Sequence, residues 1–225
     1  MKRSEINQII ESAKLFMAER KFFLPPWAYW SIADWKKNRE NAHEIIENML
    51  GWDITDFGSG NFRQRGLFLF TLRNGKMNVD RKPYAEKIMI VEENQETPMH
   101  FHWAKMEDII NRGGGNLVIE LYNSTPDEAF ADTPVRLKTD GVERTVPAGG
   151  KVVLTPGESI CLEQGVYHRF YGEPGKGKVL VGEVSMVNDD TSDNRFHEVI
   201  GRFPSIEEDV EPLHLLVSDY VKFMV

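Results

Sequence analysis

The chain has 225 residues, of which 41% are hydrophobic and 28% charged, a composition ordinary for a globular protein with a buried core. The formal net charge is −8, and no segment gathers the basic residues that bind a phosphate backbone, so no nucleic-acid partner is expected. We find no signal peptide and no apolar run of about 18 residues, so no membrane partner is expected either. The one cysteine, Cys161, excludes an internal disulfide and favours a cytoplasmic protein, with Cys161 a structural thiol among apolar neighbours.

Residues 1–65 are predicted to form a helical extension. Apolar side chains recur at helical spacing between Ile6 and Met17, after a candidate N-cap at Ser4. The pair Pro25–Pro26 interrupts this helix, because proline removes a backbone donor and clashes with the preceding turn. A second helical segment is predicted to begin after Ser31.

Residues 66–200 change to short runs rich in β-branched and aromatic residues, separated by glycine-containing turn signals. The dipeptide Asp140-Gly141 lies between two such runs and predicts a type I′ hairpin. Many short strands with this punctuation predict an antiparallel sandwich or barrel rather than a parallel sheet with crossover helices. Residues 201–225 are predicted to be partly helical and to pack against that barrel.

Two histidines one residue apart mark the candidate functional site. Side chains at positions i and i+2 of a strand point to the same face, so His100 and His102 project together. Glu107 follows after a short turn and can return to the same side, and His168 supplies a later imidazole. A lone histidine on an apolar strand is more often a packed core residue than a ligand. The complete set of three imidazoles and a carboxylate, however, suits a divalent first-row metal.

The spacing of these residues resembles the two motifs of the cupin superfamily. Residues 100–114 follow the pattern H-x-H-x4-E-x6-G, and residues 157–168 follow the second motif, with Glu163 where a proline is usual. The resemblance implies an all-β cupin fold, a double-stranded β-helix or jelly-roll barrel, with the N-terminal α-helical extension attached. It also implies four metal ligands, which are His100, His102, Glu107 and His168.

Longer blocks are similar to the bacterial D-lyxose isomerases across most of the chain. They are "LPPWAYWS", "YAEKIM", "TPMHFHW", "EDIINRGGGNL", "PGESICL" and "GEVSMVNDD". This resemblance implies an aldose–ketose isomerase that interconverts D-lyxose and D-xylulose, and often D-mannose and D-fructose, as free monosaccharides. It implies Mn²⁺ as the cofactor, with Co²⁺ and other divalent first-row metals as substitutes. Because cupins are commonly dimers, it also implies a homodimer.

The isomerisation moves a proton between C1 and C2 of the sugar, and it needs a base and a group that holds the enediolate charge. The resemblance assigns the proton transfers to Glu107 and Glu183, although Glu183 could instead form a structural ion pair with a barrel lysine. Lys87 is the candidate cation for a sugar hydroxyl or the enediolate. Glu86 and Lys87 are neighbours on a strand, so only one of them can face the interior.

Three points stay open at this level. Asp189 and Asp190, after the strand that carries Glu183, can bind distal sugar hydroxyls or only cap a loop. Arg112, before three consecutive glycines, can bind a phosphate, but the barrel motif requires a glycine turn there in any case. The same ligand set also suits a phosphosugar isomerase or an iron dioxygenase, and less well a non-catalytic sugar-binding cupin.

Overall fold

A computed structural model describes residues 1–79, 81–189, 192–201 and 205–224. Its helices are short except for the first, and they are α1 (Arg3–Glu19), α2 (Ile32–Asn38), α3 (His43–Glu47) and α4 (Tyr220–Phe223). Single 3-10 turns lie at Pro26–Tyr29, Arg39–Asn41 and Val217–Asp219. No helix among the described residues combines the length and apolarity needed to cross a bilayer.

Fourteen strands are found in the described residues. They are β1 (Gly51–Thr55), β2 (Leu67–Arg73), β3 (Tyr84–Val91), β4 (Thr97–Phe101), β5 (Glu107–Gly114), β6 (Leu117–Ser124), β7 (Phe130–Ala131), β8 (Val135–Thr139), β9 (Val142–Val146), β10 (Gly150–Leu154), β11 (Ser159–Leu162), β12 (Val166–Gly172), β13 (Val179–Met186) and β14 (Arg195–Phe196).

The strands form two antiparallel sheets. The eight-stranded sheet has the order β1-β2-β3-β13-β5-β11-β8-β9, and the second sheet has the order β10-β6-β12-β4-β14, with β7 paired to β6. Apolar side chains of both sheets pack into one core, in which Met89, Ile109 and Val181 of the first sheet join Ile119 and Phe170 of the second. The all-β cupin barrel with an N-terminal helix that the sequence predicted is confirmed.

The turn between β8 and β9 has the backbone conformation that its two central residues predict. Asp140 and Gly141 have φ angles of 51° and 80°. Positive φ at both central residues is the type I′ geometry, which matches the right-handed twist of the flanking strands. The predicted hairpin is therefore confirmed.

Helix α1 packs its apolar face on the outside of the eight-stranded sheet, where Ile6 and Ile10 join Ile88 of β3 and Leu180 of β13. The helix begins at Arg3, and its N-cap is Lys2, so the N-cap predicted at Ser4 is wrong. The Ser4 backbone N–H and hydroxyl instead donate to the carboxylate of Asp209.

Strand β1 lies inside the segment that the sequence predicted to be a helical extension. It pairs antiparallel with β2, from Gly51 opposite Thr71 to Thr55 opposite Leu67. Trp52 and Ile54 alternate with Asp53 and Thr55, and the two apolar side chains pack in the cluster beneath α1. A strand of five residues gives too short an alternation to stand out beside helical neighbours. The helical part of the extension therefore ends before residue 51.

The C-terminal segment is partly helical, as predicted, through the 3-10 turn at Val217–Asp219 and helix α4. Leu215, Val217 and Tyr220 pack against Trp35 of α2. Leu216 forms an isolated bridge with Trp52 of β1. The segment thus packs on the extension and on β1. The division of the chain at residues 65 and 200 stays a prediction.

Candidate metal centre and active site

A cavity of about 100 Å³ lies inside the barrel between the two sheets. Part of its lining is apolar, with Leu67, Leu69, Met89, Ile109 and Phe170. The lining also carries seven ionisable or metal-ligating groups, which are Asp53, Lys87, His100, His102, Lys105, Glu107 and Glu183. A buried concave site with convergent polar groups is the usual form of a small-molecule binding site.

The sheet that contains β4 and β12 brings the histidines together. His168 of β12 lies directly opposite His100 of β4, and their ring centroids are 4.2 Å apart. His102 follows β4 immediately and lies on the same side as His100. One candidate ligand atom from each of these three buried rings lies within 4.8 Å of the others. The group could therefore hold a metal ion, as the sequence predicted.

The tautomer of each imidazole follows from its backbone contact. Nδ1 lies 2.7 Å from the Pro98 carbonyl oxygen in His100, 2.8 Å from that of Asp193 in His102, and 3.0 Å from that of Val166 in His168. A carbonyl oxygen only accepts, so each Nδ1 carries a proton, and in the neutral ring Nε2 is the nitrogen with the lone pair. The Nε2 atoms of His102 and His168 are buried and have no hydrogen-bond partner among the described residues.

Glu107, at the start of β5, faces these lone pairs. Its Oε1 is 3.1 Å from His168 Nε2, and its Oε2 is 3.5 Å from His102 Nε2. Buried lone pairs this close repel one another unless a proton or a metal ion lies between them, and imidazole nitrogens with a carboxylate oxygen are common ligands of first-row divalent metals. The residues present therefore fit a metal ion. The Nδ1 contacts have the form of the outer hydrogen bonds that typically orient metal-ligating histidines.

The pKa values agree with this ligand form. Burial, together with repulsion from His168 and His102, holds the pKa of His100 well below its usual range. Burial alone would raise the pKa of Glu107, but the nearby Lys105 ammonium holds it well below the usual range. A neutral imidazole and an ionised carboxylate are the forms that bind metal.

Glu183 of β13 lies across the cavity from the histidines. Its Oε1 is 3.0 Å from Lys105 Nζ, 3.4 Å from Lys87 Nζ and 3.1 Å from the Ser185 hydroxyl, which donates to it. Lys87 is buried, whereas Glu86 forms an ion pair with Arg73 at the surface. Lys87, not Glu86, therefore faces the interior. The ion pair with a barrel lysine that was the structural alternative for Glu183 is therefore present, but it lies inside the cavity.

Sequence reasoning missed Lys105, which is buried and central to the site. Its Nζ is 2.7 Å from Glu107 Oε2 and 3.0 Å from Glu183 Oε1, so one ammonium joins both carboxylates. The spacing held a usable signal, because Lys105 and Glu107 are separated by two positions and extended chain places such side chains on one side.

Residues after β13 contribute differently from what the sequence predicted. The side-chain oxygen of Asn188 accepts hydrogen bonds from Lys87 Nζ at 2.7 Å and from Lys105 Nζ at 3.1 Å. Asp189 is exposed and accepts a hydrogen bond from the Ser192 hydroxyl at 2.5 Å, so the structure does not bring it to the cavity lining. Asp190, the other predicted sugar contact, lies outside the described residues. The side chain from this segment that contacts the cavity lysines is thus Asn188, one position before Asp189.

Cys161 lies on β11, opposite Asp108 of β5. Burial and a hydrogen bond with Asp108 raise the pKa of its thiol to about 11. A thiol with so high a pKa is not ionised at neutral pH and is a poor nucleophile, which agrees with the structural role predicted for it.

The fold and this cavity define a class, a cupin whose cavity is lined by buried histidines and carboxylates that could hold a metal ion. The sequence comparisons then give the family. The family model described as D-lyxose isomerase matches residues 1–220. A D-lyxose/D-mannose isomerase of Serratia proteamaculans is 50% identical over 100% of both chains, and a D-lyxose ketol-isomerase of Cohnella laeviribosi is 31% identical over 78% of this chain and 97% of its own. The chain belongs to the D-lyxose isomerase family and is a sugar isomerase.

Solved structures of more distant proteins share the fold. The L-ribose isomerase of Cellulomonas parahominis with L-ribose has a TM-score of 0.61 at 16% identity, covering 92% of this chain and 98% of that one. An L-ribose isomerase variant of Acinetobacter sp. DL28, also with L-ribose, has a TM-score of 0.59 at 15% identity, with the same coverage. At such identities the likeness extends to the fold alone.

Proposed function

We propose that this protein is a manganese-dependent aldose–ketose isomerase that interconverts D-lyxose and D-xylulose, and also D-mannose and D-fructose. One observation carries the proposal. Three buried imidazoles, each with Nδ1 on a backbone carbonyl, lie together with the carboxylates of Glu107 and Glu183 at one cavity. Two relatives near 50% identity named D-lyxose/D-mannose isomerase support the choice of sugars.

The metal would be held by His100, His102, His168 and Glu107. A mixed set of imidazole nitrogens and a carboxylate oxygen suits Mn²⁺, and Co²⁺ and other first-row divalent ions can use the same ligands. When bound, such an ion supplies Lewis-acid stabilisation of negative charge on the sugar oxygens.

Glu183 is proposed to move the proton between C1 and C2 through an enediol. The hydrogen bonds that its carboxylate accepts from Lys105 and Ser185 both fall on Oε1, which is also 3.4 Å from Lys87 Nζ. Oε2 is thereby left to accept a proton from carbon. Glu107, joined to Glu183 through Lys105, is the second proposed proton-handling carboxylate.

The two lysines are proposed to hold sugar oxygens on the Glu183 side of the cavity. Both ammonium groups lie within 3.4 Å of Glu183 Oε1. Fixed cations in a water-poor site stabilise a developing enediolate more strongly than water does, because they need no reorganisation during the reaction. Binding of distal hydroxyls by Asp189 and Asp190 stays a prediction.

The ion pairs in the cavity favour a free sugar over a sugar phosphate. Among the described lining residues the cations are Lys87 and Lys105, and both already contact Glu183. Arg112 is exposed and, by strand alternation, lies on the opposite face of β5 from Glu107. A phosphate group in the cavity would therefore be repelled by the carboxylates, and both lysines would already be paired with Glu183.

A panel of substrates tests the proposal. Protein stripped with a chelator and then reloaded with Mn²⁺ should form ketose from free D-lyxose and D-mannose. Turnover of sugar phosphates alone would overturn the choice of substrate and give Arg112 a role. Iron-dependent oxygen consumption without ketose formation would favour the dioxygenase alternative instead.

We propose further that the protein is a cytoplasmic homodimer. The lone Cys161 supports a reducing compartment. Tyr84, Val184 and Met186 are exposed apolar side chains on the outer face of the neighbouring strands β3 and β13, a surface suited to a subunit contact. Light scattering should give twice the 25.9 kDa chain mass, and a monomer mass would contradict the dimer.

A further inference from the structure

Asp193 lies in the segment between β13 and β14 and is only 8% exposed. Among the described residues it accepts three hydrogen bonds, all from residues just after β4, and its own backbone N–H donates to Asp189 O at 3.0 Å. Its backbone carbonyl oxygen accepts from His102 Nδ1 at 2.8 Å. Its side-chain oxygens Oδ1 and Oδ2 accept from the backbone N–H groups of Ala104 and Lys105, each at 2.8 Å.

The three accepted bonds fix different parts of the site. The carbonyl contact holds the His102 proton on Nδ1 and sets the direction of the ring. The two side-chain contacts hold the turn that joins β4 to β5, which begins after His102 and ends at Glu107. Lys105, whose ammonium joins the two cavity carboxylates, lies within the same turn.

A carboxylate is the side chain that this turn requires. Two backbone donors meet two oxygens, and an ionised carboxylate is an acceptor at both atoms. An asparagine presents one oxygen and one NH₂ group, so one backbone N–H would face another donor. Hydrogen bonds to an ionised acceptor are also shorter and stronger than neutral ones.

We infer that Asp193 is a positioning residue of the metal centre, which sets the distance and direction between the ligands His102 and Glu107 from a separate segment of chain. The inference rests on the proposed metal site. Partners that orient metal ligands typically change metal affinity by about 10–100-fold when they are removed. Asp193→Asn should therefore weaken Mn²⁺ binding by about that factor.

Asp56 provides a matched control. It is 6% exposed, and its two side-chain oxygens accept from the backbone N–H groups of Gly58 at 2.9 Å and Gly60 at 3.2 Å. It therefore fixes a turn with the same chemistry, but that turn carries no proposed ligand. Asp56→Asn should lower the melting temperature as Asp193→Asn does, while leaving Mn²⁺ affinity unchanged.

The experiment is a calorimetric titration of metal-stripped full-length protein with Mn²⁺, for the unmodified chain and both variants. The Co²⁺-loaded proteins give a second readout, since the visible absorption of Co²⁺ reports ligand geometry. We expect a weaker Kd and an altered Co²⁺ spectrum only for Asp193→Asn, with turnover recovering in part at saturating Mn²⁺. Should that variant not fold, Asp193→Ser replaces it with the same expectations.

The outcomes separate this inference from the proposed function. If unmodified protein binds no divalent metal, the proposed metal site is wrong and the inference is wrong with it. If unmodified protein binds Mn²⁺ and isomerises sugars, but Asp193→Asn binds Mn²⁺ equally well, the positioning role alone is overturned. Equal weakening in Asp56→Asn would also overturn it, because general destabilisation would then explain the loss.

Discussion

Glu183 is the residue on which the proposed proton transfer depends most. Replacing it by glutamine keeps the volume and an oxygen that accepts from Lys105 and Ser185, but an amide cannot take a proton from carbon at neutral pH. Glu183→Gln should lower turnover by about 10²–10⁴, the usual share of general acid–base catalysis. Steady-state kinetics with Mn²⁺ present measures this loss.

The same variant separates proton transfer from metal binding. Glu183 is not a proposed ligand, so Mn²⁺ affinity should be unchanged. Its melting temperature should fall, because the buried ammonium groups of Lys87 and Lys105 lose the carboxylate they share. Near-normal turnover, or loss of the metal, would show that the role proposed for Glu183 is wrong.

Lys105 gives a second test at the scale of a residue. Lys105→Met removes the ammonium that joins Glu107 and Glu183, and turnover should fall by about 10², as for the loss of one fixed charge at a reaction centre. Mn²⁺ affinity should stay equal or rise, since a cation 2.7 Å from Glu107 is lost. A matched change at the surface, Lys151→Met, should alter neither quantity. Weaker Mn²⁺ binding in Lys105→Met would contradict this account.

Some site residues could be predicted from sequence because their geometry is local. His100 and His102 share a face by strand alternation, and Glu107 and His168 complete a known spacing. Lys105 obeyed the same alternation but had no motif to mark it. Asn188 and Asp193 act through contacts with residues at least 83 positions away in the chain, and only the folded structure brings such pairs together.

Asn74, directly after β2, holds the segment that follows β13 in place through hydrogen bonds. Asn74 makes two hydrogen bonds to the backbone of Asn188, with Oδ1 accepting at 3.0 Å and Nδ2 donating at 2.9 Å. Asn188 in turn accepts from Lys87 and Lys105. Asn74→Ala should lower the free energy of unfolding by about 1–3 kcal/mol, because buried backbone groups lose their partners, and it should also lower turnover.

Asn7 is the control for this element. Its side chain makes the same two contacts with the C-terminal segment, donating to Glu211 O and accepting from Leu213 N, both at 2.9 Å. Asn7→Ala should destabilise the fold without a change in kcat once the loss of folded protein is taken into account. Equal loss of kcat in both variants would contradict a specific link between Asn74 and the lysines. Chemical denaturation and kinetics on the same samples make the comparison.

The sequence-based prediction of secondary structure was wrong for an element whose conformation depends on tertiary packing. Strand β1 was assigned to the helical extension, yet Trp52 is buried and its indole N–H donates to Ala28 O at 2.8 Å. That contact, with pairing to β2, selects the extended conformation. The strand also brings Asp53 and Thr55 into the cavity lining, although no motif in the sequence indicated a site role for either residue. The Asp140-Gly141 hairpin, by contrast, was predictable because its turn geometry depends on two adjacent residues.

At the scale of the molecule, one buried arginine joins the two ends of the chain. Arg3 at the start of α1 is 0% exposed and makes two hydrogen bonds each to Asp219 and Glu208. Arg3→Met leaves the buried Asp219 carboxylate without its charge partner. The free energy of unfolding should fall by about 3–5 kcal/mol. Lys222→Met, which removes the exposed partner of Glu208, should change it by less than about 1 kcal/mol.

The Arg3 cluster also gives a dependence on pH. The hydrogen bond from Arg3 holds the pKa of Glu208 below its ordinary value of 4.5. A lowered pKa in the folded state means that the stabilisation is complete above about pH 4.5 and is lost as the pH falls through the lower, folded value. Melting temperatures measured from pH 6 downwards should fall less steeply in Glu208→Gln than in the unmodified protein. Parallel curves would contradict this contribution.

The proposed function is that Glu183, beside a metal ion held by His100, His102, His168 and Glu107, moves a proton between C1 and C2 of a free aldose. The most direct test is to strip the protein of metal, return Mn²⁺, and follow D-lyxose in deuterated water by NMR. We expect no D-xylulose without metal, recovery with Mn²⁺, and solvent deuterium at C1 of the product, because a carboxylate-bound proton exchanges with solvent. Full turnover with no bound cation, or product without solvent deuterium, would contradict it.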